Sequence, residues 1–398
     1  MRLVTVFHYP VYGGPQNQAA QLNASLLSAG VHTVAVLPPE GVEAAARLQA
    51  CGVDVVMLSL HRLRATWQLR LQAPMLAALP REVAGLRRLI RNVHADVVQV
   101  NGLVNPHAAL AARLEGRAVV WQIQDTVAPQ WLRIACMPQV LALADVVMTT
   151  GTTVMRGHPG IGALGPRAVH YYPPVDTELF RPRPEERALA RARLGVANEH
   201  RVVVAALGNV TAQKGHEFAL RAVAASVNEG NDVCLRVLGA RSANHQQDEA
   251  RLLGEAAALG MLDDGRFAII EPGRELSSLL NGVDVGVLSA LPRSEGVPTM
   301  VLEAMAGGVP VIATDVGGVS EAIRSGVDGI VVEPLQVDKI AAEIGRLAMD
   351  RNLRARMGFH ARRTVLNRFA VVHSTRSHLL AYQIAVDRRA CRARQSNG

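Results

Sequence analysis

The chain has 398 residues, of which 49% are hydrophobic, 19% are charged and 4% are aromatic. This length predicts two domains with cores of their own, and the apolar content excludes wholesale disorder. The scarcity of aromatic side chains argues against a nucleic-acid partner. The formal net charge is +8, and Lys214 and Lys339 are the only lysines among 42 basic residues. Codon bias is the simplest explanation of the arginine excess, and attraction to phosphate-bearing partners is the functional alternative.

The cysteines and the start of the chain bear on its compartment. Cys51, Cys136, Cys234 and Cys391 lie far apart, with no pair at zinc or redox spacing. We therefore expect reduced thiols in a cytoplasmic protein. The apolar run after Met1 is too short for a signal peptide, and no run is long enough for a membrane-spanning helix. The expectation is a soluble protein, with peripheral contact at the inner face of the membrane left open.

In chain order, apolar runs of strand length alternate with stretches of helical periodicity. The first series of predicted strands is Leu3–Phe7, Thr33–Leu37, Val53–Leu58, Val97–Val100, Ala118–Ile123 and Val146–Thr149. Helical periodicity between them predicts helices over Gln16–Ala29 and Pro106–Leu114. This alternation is typical of an α/β protein built from parallel β-α-β units, with helices on both faces of the sheet.

A second series of strands follows a proline-rich segment. It comprises Val202–Gly208, Cys234–Gly239, Ala268–Glu271, Val283–Ser289, Val309–Ala313 and Ile330–Val332. Four prolines in residues 172–184 predict a semi-rigid linker. We therefore expect an N-terminal domain at residues 1–178 and a C-terminal domain at 179–369, with a helix at about 370–398 available to return to the first. Two doubly wound domains that face each other place a cleft at the carboxyl ends of both sheets, where ligands bind.

The segment Ser294–Ala306 follows a predicted strand and contains a predicted helix that starts after Pro298. A helix start presents unpaired N–H groups and a positive dipole end, which suit a diphosphate. Gly296 permits close approach of the backbone to such a group. Glu303, one turn inside the helix, is placed to accept hydrogen bonds from a ribose diol, and Glu295 could bind sugar hydroxyls. Two solvated glutamates on a capped amphipathic helix are the plainer alternative.

The spacing of Glu295 and Glu303 resembles the E-x7-E signature of retaining family 4 (group 1) glycosyltransferases. The run from Gly307 to Glu321 is also similar to that family, and the similarity extends along most of the chain. The resemblance implies a GT-B fold, in which two doubly wound Rossmann-like domains face each other across a cleft. It further implies that the N-terminal domain binds the acceptor and the C-terminal domain binds a nucleotide-diphosphate sugar.

The same resemblance implies roles for individual residues around the donor. The residues expected to contact the departing diphosphate are Gly296, Val297, Pro298, Thr299 and Met300. Glu295 would orient the sugar and Glu303 the ribose. Base recognition is expected near Arg274 and Leu276, which follow a predicted strand.

Two glycine-containing loops are candidates for phosphate binding. Residues 208–215 match the family's G-R-x-x-x-x-K-G segment, and Lys214 would neutralise the diphosphate as it leaves. Asn209 stands where the family has arginine, and an amide offers donors without the charge or the bidentate fork. Gly13 and Gly14, between the first strand and the first helix, would let the backbone approach a phosphate. A glycine pair before a helix is more often only a turn.

The first domain departs from the family at positions where histidines are usual. Gln124 stands where an imidazole touches the donor sugar; its carbonyl can bond a hydroxyl or a developing positive centre, but it cannot titrate. Gln99 and Asn101 likewise replace two histidines, and the loss of titratable groups suggests an unusual acceptor. No D-x-D triplet occurs, and the histidines, including His8 and His107, show no ligand spacing. We therefore expect surface or core histidines, with no metal and no other cofactor.

The segment Arg62–Leu71 is basic and apolar and contains Trp67. A basic amphipathic helix of this kind would suit contact with a membrane surface. A solvated face whose apolar side packs in the core is the commoner explanation.

The resemblance implies transfer of a sugar with retention of configuration from a nucleotide sugar, with a UDP-sugar expected first, to an acceptor hydroxyl. Lys214, Glu295 and Gln124 are the predicted catalytic residues. The acceptor is left open between a lipid-linked or cell-envelope glycan and a natural-product aglycone, and the oligomeric state is also open. The alternative function is a catalytically silent GT-B protein that binds a nucleotide sugar for regulation or scaffolding. A sugar-nucleotide epimerase of related fold is weaker, because its acid and base groups are not identifiable.

Overall fold

The computed structural model describes residues 1–61, 69–241, 245–292 and 296–396. The chain forms two compact units, one of Met1–Pro174 with Val371–Gly398 and one of Val175–Ala370. The chain therefore passes from the first unit to the second after Pro174, ahead of the predicted domain boundary at residue 178. Each unit is an α/β structure around one parallel sheet.

The first unit contains a seven-stranded sheet with the strand order β3-β2-β1-β4-β5-β6-β7. Its strands are β1 (Arg2–Val6), β2 (His32–Leu37), β3 (Asp54–Met57), β4 (Val97–Asn101), β5 (Ala118–Ile123), β6 (Val146–Thr150) and β7 (Ala168–Tyr171). The six predicted strands are present, each within about two residues of its expected bounds. Strand β7 was missed, because its four residues include the exposed His170 and lead directly into the proline-rich segment.

Helices cover this sheet. They are α1 (Gly14–Ser28), α2 (Val42–Ala50), α3 (Leu69–Asn92), α4 (His107–Leu114), α5 (Gln130–Leu143) and α6 (Gly151–Arg156). Within the predicted basic segment Arg62–Leu71, residues 62–68 lie outside the described residues, and the remainder begins α3. Of the helices that the structure describes, none has the combination of length and apolar content that a bilayer crossing requires.

The second unit contains a six-stranded parallel sheet with the order β10-β9-β8-β11-β12-β13. Its strands are β8 (Val202–Leu207), β9 (Val233–Leu238), β10 (Phe267–Ile270), β11 (Val285–Leu288), β12 (Val311–Thr314) and β13 (Ile330–Val332). Its helices are α7 (Arg187–Arg193), α8 (His216–Asn228), α9 (Gln246–Ala258), α10 (Leu276–Leu280), α11 (Thr299–Ala306), α12 (Val319–Ala322), α13 (Val337–Met349) and α14 (Arg351–Arg368). Every residue of β8 and β9 is buried, as expected for a parallel sheet covered on both faces.

The last helix, α15 (Val371–Ser396), belongs to the first unit. Its residues Ala381, Tyr382 and Ala385 lie in one apolar cluster with Val97 and Val146 of the first sheet. The helix therefore covers part of that sheet and completes its core.

A buried chain of hydrogen bonds also joins α15 to the first sheet. The Tyr382 hydroxyl donates to Gln99 Oε1 at 2.7 Å, and the Gln99 amide donates to Gln122. Gln122 Nε2 donates to Gln18 at 3.1 Å, and Gln18 Nε2 lies 2.8 Å from His378 Nε2. From the sequence, the replacement of a histidine by Gln99 suggested an unusual acceptor. In the structure, the Gln99 side chain is part of a buried network that holds α15.

Asn101, the second position where a histidine is replaced, also forms hydrogen bonds in the interior of the first unit. Its amide nitrogen donates to Thr5 Oγ1 at 2.9 Å and to the Val6 carbonyl at 3.1 Å. It thereby links β4 to β1 across the centre of the sheet. Its position is explained by packing within the unit.

Candidate functional site

The strand order of the second sheet reverses between β8 and β11. From β8 the chain proceeds outward to β9 and β10 before it returns to β11 on the other side. In open α/β sheets, ligands bind at such switch points, outside the carboxyl ends of the strands. The loops that follow β8 and β11 therefore form the first candidate site of this unit, and both were singled out from the sequence.

Direct contacts hold these two loops together. The Leu291 amide donates to the Gln213 carbonyl at 2.9 Å, and the Ser289 hydroxyl donates to the Gly215 carbonyl at 2.7 Å. Gly215 has φ +61°, and a Cβ there would lie 2.2 Å from the Ser289 carbonyl oxygen. Only glycine permits this approach, so residue type at 215 fixes the distance between the loops.

Lys214 lies in this loop and packs over Gly208. Gly208 has φ +135°, and a Cβ there would lie 2.8 Å from Lys214 Cδ. His216 stabilises the loop through its ring, because its Nε2 lies 3.2 Å from the Gly208 carbonyl oxygen and 3.0 Å from the Asn209 carbonyl oxygen. Carbonyl oxygens only accept, so the ring proton is on Nε2. Burial lowers the pKa of His216 to about 4, which leaves the ring neutral beside the Lys214 ammonium.

Asn209 is exposed, and its side-chain oxygen is already used. Asn209 Oδ1 accepts a hydrogen bond from the Ala240 amide at 3.3 Å. The neighbouring Arg241 donates to the Ile269 carbonyl at 3.2 Å and pairs with Glu249 at 3.2 Å. The Asn209 amide nitrogen and the Lys214 ammonium are hydrogen-bond donors of the kind that phosphate oxygens accept from.

Helix α11 begins directly after Pro298, and within the described residues its N-cap position makes no side-chain hydrogen bond to the helix start. Its first N–H groups therefore offer hydrogen bonds at the positive end of the helix dipole. The approach to the helix is fixed by Gly318, whose amide donates to the Gly296 carbonyl at 2.8 Å. A Cβ on Gly318 would lie 2.4 Å from Val297 Cγ2, so the two segments touch. The predicted residue Glu295 lies outside the described residues.

Glu303 is 7% exposed, one turn inside α11. Within the described part of the chain, no hydrogen bond or ion pair to its carboxyl group is found. Burial raises the pKa of Glu303 to about 7. Burial of a carboxyl group that has no partner among the described residues costs free energy. Its position next to a candidate ligand site therefore makes Glu303 a candidate for ligand binding.

The residues predicted for base recognition lie farther along the same edge. Arg274 is exposed in the loop after β10, and Leu276 begins α10. Strand β10 is two strands from β8, which corresponds to roughly 10 Å. The structure thus groups the Lys214 loop with the start of α11, and it places Arg274 and Leu276 at the periphery of that group.

In the first sheet the switch point lies between β1 and β4. The Gly13 amide is occupied, since it donates to Gln16 Oε1 at 3.2 Å. Gly14 begins α1, with no atom within 4 Å of the position of a Cβ. Gln124 is half-buried after β5, and its amide nitrogen has no hydrogen-bond partner among the described residues.

Sequence reasoning missed a buried polar cluster at this switch point. His8 follows β1 and His107 begins α4, and their ring centroids lie 5.3 Å apart. Glu82 Oε2 lies 3.2 Å from His107 Nε2, and the Glu82 carboxylate also accepts from the His61 amide at 3.0 Å. Burial lowers the pKa of His8 to about 3. His8 and His107 are core residues, where surface or core positions were expected, but their proximity has no signal in the sequence because four separate segments supply the cluster.

A metal site was not expected from the sequence. Within the ranges that the structure describes, no group of three or more His, Cys, Asp or Glu side chains could hold a metal ion. The four cysteines are free thiols, with Cys136 and Cys234 buried.

Comparison with known sequences defines the family. The model described as Glycosyl transferases group 1 matches residues 191–364. A D-inositol 3-phosphate glycosyltransferase 1 of Catenulispora acidiphila is 31% identical over 288 residues, which cover 65% of this chain and 67% of that protein. A D-inositol 3-phosphate glycosyltransferase of Nocardia farcinica is 32% identical over 215 residues, covering 54% of this chain and 47% of that protein. The chain spans about half the length of several such relatives.

Solved structures define the fold class. Alr3699/HepE of Anabaena, crystallised with UDP and glucose, superimposes with a TM-score of 0.77 at 18% identity, covering 95% of this chain and 98% of that one. A glycosyltransferase of Rickettsia africae gives a TM-score of 0.80 at 16% identity, with 96% and 98% covered. The fold is therefore GT-B, the two-sheet class shared by these glycosyltransferases. With the sequence matches, the chain belongs to the group 1 glycosyltransferases.

Proposed function

We propose that this protein transfers a sugar from a nucleotide-diphosphate sugar to an acceptor hydroxyl, with retention of anomeric configuration and without a metal ion. The observation that carries the proposal is the switch-point site of the second unit. There a lysine-bearing loop is hydrogen-bonded to the loop after β11, and the first amides of α11 precede the buried Glu303 by one helical turn. The loop and the helix start suit the diphosphate of a nucleotide, and Glu303 suits its ribose.

The diphosphate is the leaving group of the proposed reaction. The bond between the anomeric carbon and the phosphate oxygen breaks, and the acceptor oxygen forms the new bond on the same face of the sugar. The proton of the acceptor hydroxyl passes to the departing phosphate. Negative charge grows on that phosphate during the step, so the Lys214 ammonium and the first amides of α11 stabilise the transition state more than the ground state. Glu295 and Gln124 are proposed to hold the sugar.

Glu303 is proposed to bind the ribose. An ionised carboxylate can accept hydrogen bonds from both hydroxyls of a diol, and such bonds would replace the solvation that burial has removed. The absence of a protein partner for this carboxyl group, within the described residues, supports an exogenous one. Arg274 and Leu276 remain the residues proposed for the base.

The names of relatives suggest the first substrates to test. One relative is called a D-inositol 3-phosphate glycosyltransferase, and another, from Mycolicibacterium smegmatis, a GDP-mannose-dependent mannosyltransferase of phosphatidylinositol monomannoside; the latter is 32% identical over 212 residues, covering 52% of this chain and 54% of that protein. We propose a UDP-sugar as donor and a cyclitol phosphate as acceptor class, with GDP-mannose as the second donor to test. A cyclitol supplies the ring hydroxyl that the transfer requires.

The two lysines of the chain provide a matched test. Lys214 lies in the site, whereas Lys339 is exposed on α13. We expect Lys214→Ala to lower turnover of UDP-glucose with D-inositol 3-phosphate by about 100-fold or more, as expected when one transition-state donor is removed. Lys339→Ala, which removes the same charge, should leave turnover within about twofold.

The same assay separates the alternative function. If the wild-type protein binds UDP in calorimetry but neither transfers nor hydrolyses any sugar across UDP, GDP, ADP and dTDP donors, the silent binding protein is the correct description. If Lys214→Ala and Lys339→Ala lower turnover equally, the loop after β8 is not the phosphate site.

A further inference from the structure

Arginines gather at the amino edge of the first sheet, opposite the carboxyl ends of its own strands. Arg117 directly precedes β5, and Arg167 directly precedes β7. Asp145 directly precedes β6, between them in the sheet order. Parallel strands all begin at one edge, so these three side chains lie at the amino edge, away from the carboxyl ends where Gly14 and Gln124 lie.

Asp145 is fully buried and is shared by several guanidinium groups. Its carboxylate lies 3.3 Å from Arg113 Nη1 and 2.5 Å from Arg392 Nη2 of α15. It also accepts a hydrogen bond from the Val119 amide at 2.9 Å, and its backbone carbonyl accepts one from Arg167 Nε at 3.0 Å. The neighbouring acidic residue Glu115 pairs with Arg87 and Arg91, and attraction to these arginines and to Arg117 lowers its pKa.

Arg388, one helical turn before Arg392 on α15, brings a further positive charge to this edge. Burial lowers the pKa of Arg113 and Arg167, and Arg388 and Arg392 lower both further by repulsion. The arginine cluster (Arg113, Arg117, Arg167, Arg388 and Arg392) thus sets five positive charges beside two carboxylates, those of Asp145 and Glu115. Because Glu115 also pairs with Arg87 and Arg91, positive charge exceeds negative charge at this edge of the sheet.

Several N–H groups of the arginine cluster are buried without an acceptor. Within the described residues, Arg113 Nη2, Arg117 Nε and Arg388 Nε have no hydrogen-bond partner. A buried donor without an acceptor is destabilising, so three such donors on arginines at the amino edge of the sheet indicate an acceptor from outside the chain. An anion with several oxygens would satisfy these donors and offset the excess charge together.

We propose that the arginine cluster binds a phosphate group, either of a soluble phosphate or of an anionic lipid headgroup. Guanidinium groups fit phosphate oxygens in a bidentate manner and remain charged when partly buried, which suits a tetrahedral anion among several arginines. The site is distinct from the donor site and does not rest on the proposed transferase activity.

The test compares thermal unfolding in inorganic phosphate and in sodium chloride of equal ionic strength. All proteins carry Lys214→Ala, so that phosphate bound at the candidate donor site does not contribute. The test variant adds Arg117→Gln and Arg388→Gln, which leave both ion pairs of Asp145 intact. The control adds Arg376→Gln, which removes one charge from an exposed position of the same helix.

We expect phosphate to raise the apparent Tm of the parent and of the control by roughly 2 °C or more above chloride, and to leave the double variant unchanged. Sedimentation with vesicles of phosphatidylcholine, with and without phosphatidylglycerol, identifies the source of the phosphate. Binding to the anionic vesicles that the double variant loses and the control keeps indicates a lipid headgroup. Stabilisation by phosphate without vesicle binding indicates a soluble ligand. The proposal is overturned if neither probe acts on the parent, or if the double variant responds like the control.

Discussion

The substitution Glu303→Gln tests whether ionisation of the buried Glu303 carboxyl group destabilises the folded protein. Glu303 has a pKa raised to about 7 by burial, from an ordinary value of 4.5. The raised pKa means that the folded state favours the protonated carboxyl group. The stability contributed by that proton is therefore complete below about pH 4.5 and is lost as pH rises toward about 7. At alkaline pH, a pKa raised from 4.5 to about 7 corresponds to about 3 kcal/mol of lost stability.

Between about pH 5 and about pH 8, roughly 2–3 kcal/mol of this stability is lost in the wild-type protein. Glutamine has the same shape and no charge, so the variant avoids the loss. We expect the gain in the free energy of unfolding from Glu303→Gln to be about 2–3 kcal/mol larger at the higher pH, measured by urea unfolding. Glu271→Gln, at an exposed glutamate, is the control. An equal effect of Glu303→Gln at both pH values would refute the reasoning.

The remaining predictions concern the loop after β8 and the contact of α15 with the first sheet. Gly208→Ala should weaken UDP binding in calorimetry by at least about tenfold, because the methyl group meets Lys214. Gly230→Ala, also at a positive φ but with no other described residue within 4 Å of the new Cβ, should bind normally. Asn209→Arg should raise turnover of the donor by restoring a charged fork at an exposed position; unchanged or lower turnover counts against a phosphate there. Tyr382→Phe should lower the free energy of unfolding by about 1–3 kcal/mol, since Gln99 Oε1 loses its buried donor, and a loss below about 0.5 kcal/mol would contradict this role.

The strands of both sheets were predictable because burial on both faces leaves a direct mark on the sequence. Residues of β8 and β9 are almost all apolar, so a run of that length has one good explanation. Strand β7 was not predictable on the same basis, since four residues with one exposed histidine carry too little pattern. The helix at about 370–398 was expected, and the buried hydrogen bonds that hold α15 were not.

The sequence predicted the individual segments of the candidate site, but it did not predict how their side chains pack against each other. The helix start after Pro298 and the loop of Lys214 could be located because each is a contiguous stretch with its own chemistry. The burial of Glu303 depends on the packing of α11, so a sequence pattern could not give the cost of its charge. His107 illustrates the remaining gap, since its ring meets His8 and Glu82 from distant segments only once the topology exists.

The return of α15 to the first unit also determines the order in which the two units can be completed during synthesis. Residues 175–370 leave the ribosome before residues 371–396, so the second unit has its whole sequence while the first still lacks its last helix. Until then, the apolar surface around Val97 and Val146 stays uncovered, and Gln99 lacks the hydroxyl of Tyr382. The nascent first unit is consequently the stage most exposed to misassembly, although it is translated first.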